Sequence, residues 1–193
     1  MRRAAAALAL AAAAACTSPR DAARVPPGDG PIVGLYRAAI EGGDAVRHAK
    51  VLLWAARPDR LHAEILSPVG GVRLILDAGG GRACVIDPAA SVAYTGDGGE
   101  DAVLRIVGVA VPLDAMVEAL LAGTPPSGLR VLREGTPAPA LPERFAIEDG
   151  ARALRLTLVR FQRSATDGDR LGTGEPPPAL RVRPLDELPE PER

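Results

Sequence analysis

The chain has 193 residues, of which 47% are hydrophobic but only 3% aromatic, and its formal net charge is −1. That length suffices for one domain with a real core, which small and aliphatic side chains must build. The near-neutral charge excludes a basic field of the kind that recruits nucleic acid.

Residues 1–15 read as a secretory leader. Arg2 and Arg3 precede an apolar run over residues 4–15, a charged head and short hydrophobic segment. The run is shorter than the roughly 20 residues that span a bilayer. It ends in Ala13-Ala14-Ala15-Cys16, and small residues directly before a cysteine resemble the lipobox of bacterial lipoproteins. That resemblance makes Cys16 the lipidation site, diacylated on sulfur and acylated on its new amine. An ordinary leader with an incidental cysteine is the alternative. Several acyl chains anchor stably where one binds marginally. Thr17 stands where an aspartate resembles an inner-membrane retention signal, so the outer membrane is the expected destination. Loss of Arg2 and Arg3 with the leader takes the net charge from −1 to −3. Residues 16–31 are rich in Pro, Gly, Arg and Asp and read as a flexible tether.

Period-two alternation predicts strands over residues 32–40 and 46–55, with a turn at Glu41-Gly42-Gly43-Asp44 between them. A hairpin follows. Leu61, Ala63 and Ile65 alternate with His62 and Glu64, and Val72, Leu74 and Leu76 form the return strand. The connection Ser67-Pro68-Val69-Gly70-Gly71 is a turn: Pro68 cannot donate to a ladder, and the glycines tolerate positive φ. It places Val69 at a loop tip, where it either projects or folds back onto the core. The run Ala78-Gly79-Gly80-Gly81 lacks the residues of a phosphate loop and reads as another turn. Strands are predicted over residues 82–87 and 91–95. Cys84 falls in the first, and with Cys16 acylated it is a buried free thiol.

The period then changes. A short helix opens at Glu100, carries Val103, Leu104 and Val107 on one face and ends at Gly108. Pro112 fits the first position of a second helix. Leu113, Met116, Val117, Leu120 and Leu121 form its apolar stripe. Strands resume over residues 129–133, 144–148 and 153–163, with a bulge near Val159 where the alternation slips. Residues 166–178 read as a polar loop, residues 179–184 as a last strand, and the acidic end as frayed. The domain is thus expected over residues 32–186, with a disordered tail at 187–193.

These residues resemble LolB, the outer-membrane lipoprotein receptor of the lipoprotein-localisation pathway. The resemblance spans residues 36–126, about half the chain. It rests on Arg37, Leu52-Leu53-Trp54, Ser67-Pro68-Val69-Gly70, Tyr94-Thr95, the helix ending at Gly108, and Val111-Pro112-Leu113 through Leu121-Ala122-Gly123-Thr124-Pro125, in order and near-constant spacing. Ala38 replaces the family's glycine after Arg37, a Pro/Gly tether replaces its N-terminal helix, and the late strands are abbreviated.

The resemblance implies a mainly β fold: a half-open antiparallel β-barrel or curled sheet with a short helical lid and an apolar cavity for acyl chains. It implies a lipid-anchored receptor, facing the periplasm, that takes lipoproteins from a LolA-like carrier and places them in outer-membrane lipid. The loop Pro68-Val69-Gly70 would then touch membrane and cargo, with Val69 in the place of a functional leucine. Candidate cavity residues are Val51, Leu53, Leu61, Ile65, Leu74, Leu76, Met116 and Leu120, for each of which ordinary core packing is the alternative reading. A monomer without metal or cofactor is expected.

An accessory envelope lipoprotein on the same scaffold is the rival class, since fold does not fix function. An enzyme ranks third: G-x-S-x-G and HExxH are absent from the sequence. His48 and His62 are expected on solvated strand faces, and Asp77 and Asp87 in turn hydrogen bonds.

Overall fold

The structure, a computed structural model, describes residues 30–42 and 45–189. The leader, Cys16, the tether through residue 29, Gly43-Asp44 of the first turn, residues 190–193 and the side chain of Val107 lie outside the described residues. The strands are β1 (Ile32–Gly42), β2 (Ala45–Ala56), β3 (Arg60–Leu66), β4 (Val72–Gly79), β5 (Arg82–Asp87), β6 (Val92–Asp97), β7 (Arg130–Glu134), β8 (Arg144–Glu148), β9 (Arg152–Arg163) and β10 (Arg181–Pro184). Helices α1 (Glu100–Val107) and α2 (Leu113–Ala122) lie between β6 and β7.

The fold is mainly β. One open sheet runs in the order β10-β6-β5-β4-β3-β2-β1-β9-β8-β7, so β10 and β7 are its edges. Its register sorts side chains by parity. Tyr36 opposes Val51, Val51 opposes Ile65, Ile65 opposes Leu74, and Ala63 opposes Leu76. All point to the inner face. One continuous core joins this face to the helices and draws in Tyr94 of β6 and Phe145 of β8, so the sheet wraps around α1 and α2. The stripe Leu113, Met116, Val117, Leu120 and Leu121 is buried as its spacing predicts. Each such side chain contributes about 1.5–3 kcal/mol. Both helices end on a left-handed glycine, Gly108 and Gly123.

The bulge predicted near Val159 is present: Leu35 pairs with Arg160 but Tyr36 with Leu158. Three expectations need correction. Pro112 precedes α2 rather than opening it, because its ψ of 147° is extended. The pairing is not wholly antiparallel, since β10 runs parallel to β6. The segment after β9 crosses the outer face to the far edge, and β10 therefore arrives in the same direction as β6. Finally, the acidic end is not frayed through residue 188: a short 3-10 turn (Leu185–Glu187) puts Leu185 and Leu188 into the core.

Candidate functional site

The loop between β3 and β4 is held by its own backbone. Ser67 N–H donates to Gly71 O (2.7 Å), Gly70 N–H to Ser67 O (2.9 Å), and Gly71 N–H to Ser67 Oγ (3.1 Å). Gly70 takes φ of 94°, a value that favours glycine. The closed turn leaves Val69 96% exposed. Val69 therefore projects, and the alternative of folding back is excluded by its position. Val72 beside it is also exposed, as is Val46 on β2.

At the root of this loop a cleft of about 360 Å³ opens, lined by Arg37, Ala38, His48, Ala49, Lys50, Leu66, Ser67 and Pro68. Its cations lie on the outer face. A single row across the sheet reads Arg144, Thr157, Arg37, Lys50, Leu66, and His48 opposes Ala39 in the next outward row. His48 is exposed, as expected from sequence.

The eight candidate cavity residues come together on the inner face. Val51, Leu53, Leu61, Leu76, Met116 and Leu120 are buried in the core, and Ile65 and Leu74 are partly buried against it. None of them lines the outer cleft.

A second polar cluster lies on the outer face of β3 and β4. Asp77 is 7% exposed. His62 Nδ1 is 2.8 Å from Asp77 Oδ1, and His62 Nε2 is 3.5 Å from Glu64 Oε1. The chain after β9 crosses here. Gly172 N–H donates to Asp77 Oδ1 (2.7 Å), while Thr173 N–H (3.0 Å), Thr173 Oγ1 (3.1 Å) and Gly174 N–H (3.2 Å) donate to Oδ2. Arg60 completes the strap, donating to the carbonyls of Gly168, Leu171 and Gly172 while its guanidinium lies 5.1 Å from the Trp54 ring centroid. Leu171 packs on Trp54 and Val33 in a small outer core. The approach is close enough to require glycine. A Cβ on Gly79 would meet Gly172 O at 1.9 Å, and one on Gly172 would meet Leu61 N at 2.9 Å.

Two sequence expectations change here. His62 is not solvated, and Asp77 is a strap acceptor rather than a turn residue, because both point outward beneath the returning chain, whose Gly172 lies 95 residues beyond Asp77. Asp87 does cap its turn, accepting from Ala90 N–H. Burial disfavours the His62 imidazolium, but hydrogen bonds and charge from Asp77 and Glu64 outweigh it and hold the ring up at about 9. Burial would raise Asp77, yet the His62 hydrogen bond and the strap amides hold it low. The His62 hydrogen bond likewise lowers Glu64. The cluster is an ion-paired clasp, with neither carboxyl raised toward general-acid duty. Burial pushes the Cys84 thiol up to about 11, which leaves it protonated and unreactive at neutral pH.

No protein-family model and no curated protein matches the chain. Among the described residues no group of His, Cys, Asp and Glu has the arrangement of a metal site, and no helix is long and apolar enough to cross a membrane.

Proposed function

We propose that the chain is a lipid-anchored acceptor of lipoprotein acyl chains, fixed to the outer membrane through Cys16 and presenting loop 67–71 to lipid and cargo. The observation that carries this reading is Val69, 96% exposed on a turn that is rigidly closed beneath it. A water-exposed aliphatic tip gains nothing from solvent, and burying one valine in lipid is worth about 1.5 kcal/mol. That is too little to anchor a protein, but anchoring belongs to the acylated cysteine. The tip is suited instead to perturbing lipid locally and guiding a departing chain. The apolar inner face under α1 and α2 is the surface such a chain would enter, by separation of helices from sheet, and a LolA-like carrier would deliver it.

The runner-up is an accessory envelope lipoprotein without transfer activity. It is favoured by the continuity of the core: six of the eight candidate cavity residues are buried in ordinary packing. Photo-crosslinkers at positions 69 and 120 of the full chain separate the two. Labelling of a lipoprotein acyl chain from both positions is expected for an acceptor. Labelling from neither, with no stranding of lipoproteins on carrier or inner membrane when the protein is depleted, would refute transfer.

A further inference from the structure

The outer face beside loop 67–71 carries a charge pattern that the acceptor reading does not use. Arg37, His48 and Lys50 converge on the cleft below Pro68. Two arginines on the same face are paired. Arg144 reaches Glu134 at 3.4 Å, and Arg155 reaches Glu41 at 3.0 Å and Glu148 at 2.7 Å. Among the described residues no ion pair involves Arg37, His48 or Lys50. Lys50 is also the single lysine of the chain. In a protein of formal net charge −1, two cations gathered at one cleft, Arg37 and Lys50, are a local field of opposite sign.

Three exposed aliphatics adjoin lining residues in chain or register: Val69 (96%) follows Pro68, Val72 (39%) pairs with Leu66, and Val46 (54%) stands two residues from His48 on β2. A soluble anion would use the cations and ignore the valines. A bilayer surface uses both, since its acyl boundary takes the apolar tip while its phosphates meet the cations behind it. Lys50 donates as a point charge and Arg37 as a planar fork, and both geometries suit phosphate oxygens.

We propose that the Arg37–His48–Lys50 cleft binds the phosphate of an anionic phospholipid headgroup while Val69 enters the bilayer beside it. The occupant is a membrane lipid, and the bound headgroup sets which way the loop faces. This rests on the reading of loop 67–71 as membrane-facing and adds a polar subsite to it.

The two histidines supply the test, because His48 lines the cleft while His62 is held in the Asp77 clasp. The full chain in neutral detergent micelles is titrated with dihexanoylphosphatidylglycerol, with dihexanoylphosphatidylcholine and with inorganic phosphate, and both imidazole rings are followed by NMR. Phosphatidylglycerol should shift the His48 resonances saturably and leave His62 in place. Arg37→Gln and Lys50→Gln should each weaken that binding about fivefold to tenfold, and Val69→Ser should weaken it less. An unmoved His62 shows that each variant is folded. Equal response to phosphatidylcholine would overturn the proposal, as would an unmoved His48. Saturation by inorganic phosphate at the same concentrations, indifferent to Val69→Ser, would overturn the lipid as occupant. A silent titration alongside positive acyl crosslinking from position 69 removes the headgroup subsite alone. Saturable phosphatidylglycerol binding without crosslinking removes transfer and keeps the subsite.

Discussion

The outer face of the sheet has two halves with opposite fates. Around Trp54, His62 and Asp77 it is roofed by the strap, and its polar groups are paired and partly buried. Around Arg37, His48 and Lys50 the same strands β1 and β2 carry outward side chains beside an open cleft. The two differ by what crosses them, since the alternation within each strand is the same. A polar residue at an outward strand position is therefore solvated only where nothing returns over it, and that is decided more than 90 residues downstream.

Substitutions can break this contrast by opening the roofed half. Asp77→Ala removes the acceptor of four strap hydrogen bonds and strips the His62 imidazolium of its nearest partner. It should cost about 3–5 kcal/mol, read as a shift in the denaturant midpoint, with early cleavage of residues 164–180 on limited proteolysis. Leu171→Ala takes away the strap's apolar foot on Trp54 and Val33 and should cost about 2 kcal/mol, the low end for a buried leucine, because this outer core is small.

A pH effect of similar or lesser size follows from the clasp. His62 is raised from 6.5 to about 9, so its contribution is full below pH 6.5 and is lost as pH rises through 9. Asp77 and Glu64 are lowered, so theirs is full above the ordinary carboxylate range and is lost as pH falls through their native values. Stability should plateau between roughly pH 5 and 6.5. It should then fall toward pH 9.5 by on the order of 2 kcal/mol, and His62→Gln should flatten that alkaline limb in denaturation curves.

The smallest expected effect sharpens the contrast from the open side. Val69→Glu should change stability by less than about 0.5 kcal/mol, the range of free surface positions, while on the proposed acceptor reading it impairs cargo insertion; Val69→Leu should preserve or improve that insertion. Melting temperature and lipoprotein transfer measured on the same two variants check this. A stable glutamate variant with unchanged transfer would remove Val69 from the mechanism.

Local pattern made most of the sheet legible. Strand β5 and strand β8 fall where alternation puts them, and the slip at Val159 reads directly as a bulge. The stripe of α2 needed only its spacing. What was not legible depends on long-range return of the chain. Residues 164–180 have no periodicity, so nothing local shows that Leu171 and Gly172 land on Trp54 and Asp77. Glycines at 79, 172 and 174 were the available signal, since close backbone crossing needs them. The cleft was half legible: Ser67-Pro68-Val69-Gly70 marks the loop, but the row that sets Arg37 beside Lys50 exists only once β1 pairs with β2.

The pairing of β1 with β9 also orders the assembly of the chain in time. Gly42 pairs with Arg152 and Ile32 with Arg163, so its rungs join positions 110 to 131 apart. Within the meander β2 to β6, each strand pairs with its neighbour in sequence. Closing a loop of that greater length costs roughly 2 kcal/mol more entropy than closing a hairpin, and non-local pairing of this kind slows folding. The meander should form first and β9 should dock late, bringing β8 and β7 with it. Until that docking, the edge of β1 that receives β9 is unpaired, and the nascent sheet is most open to pairing with another chain.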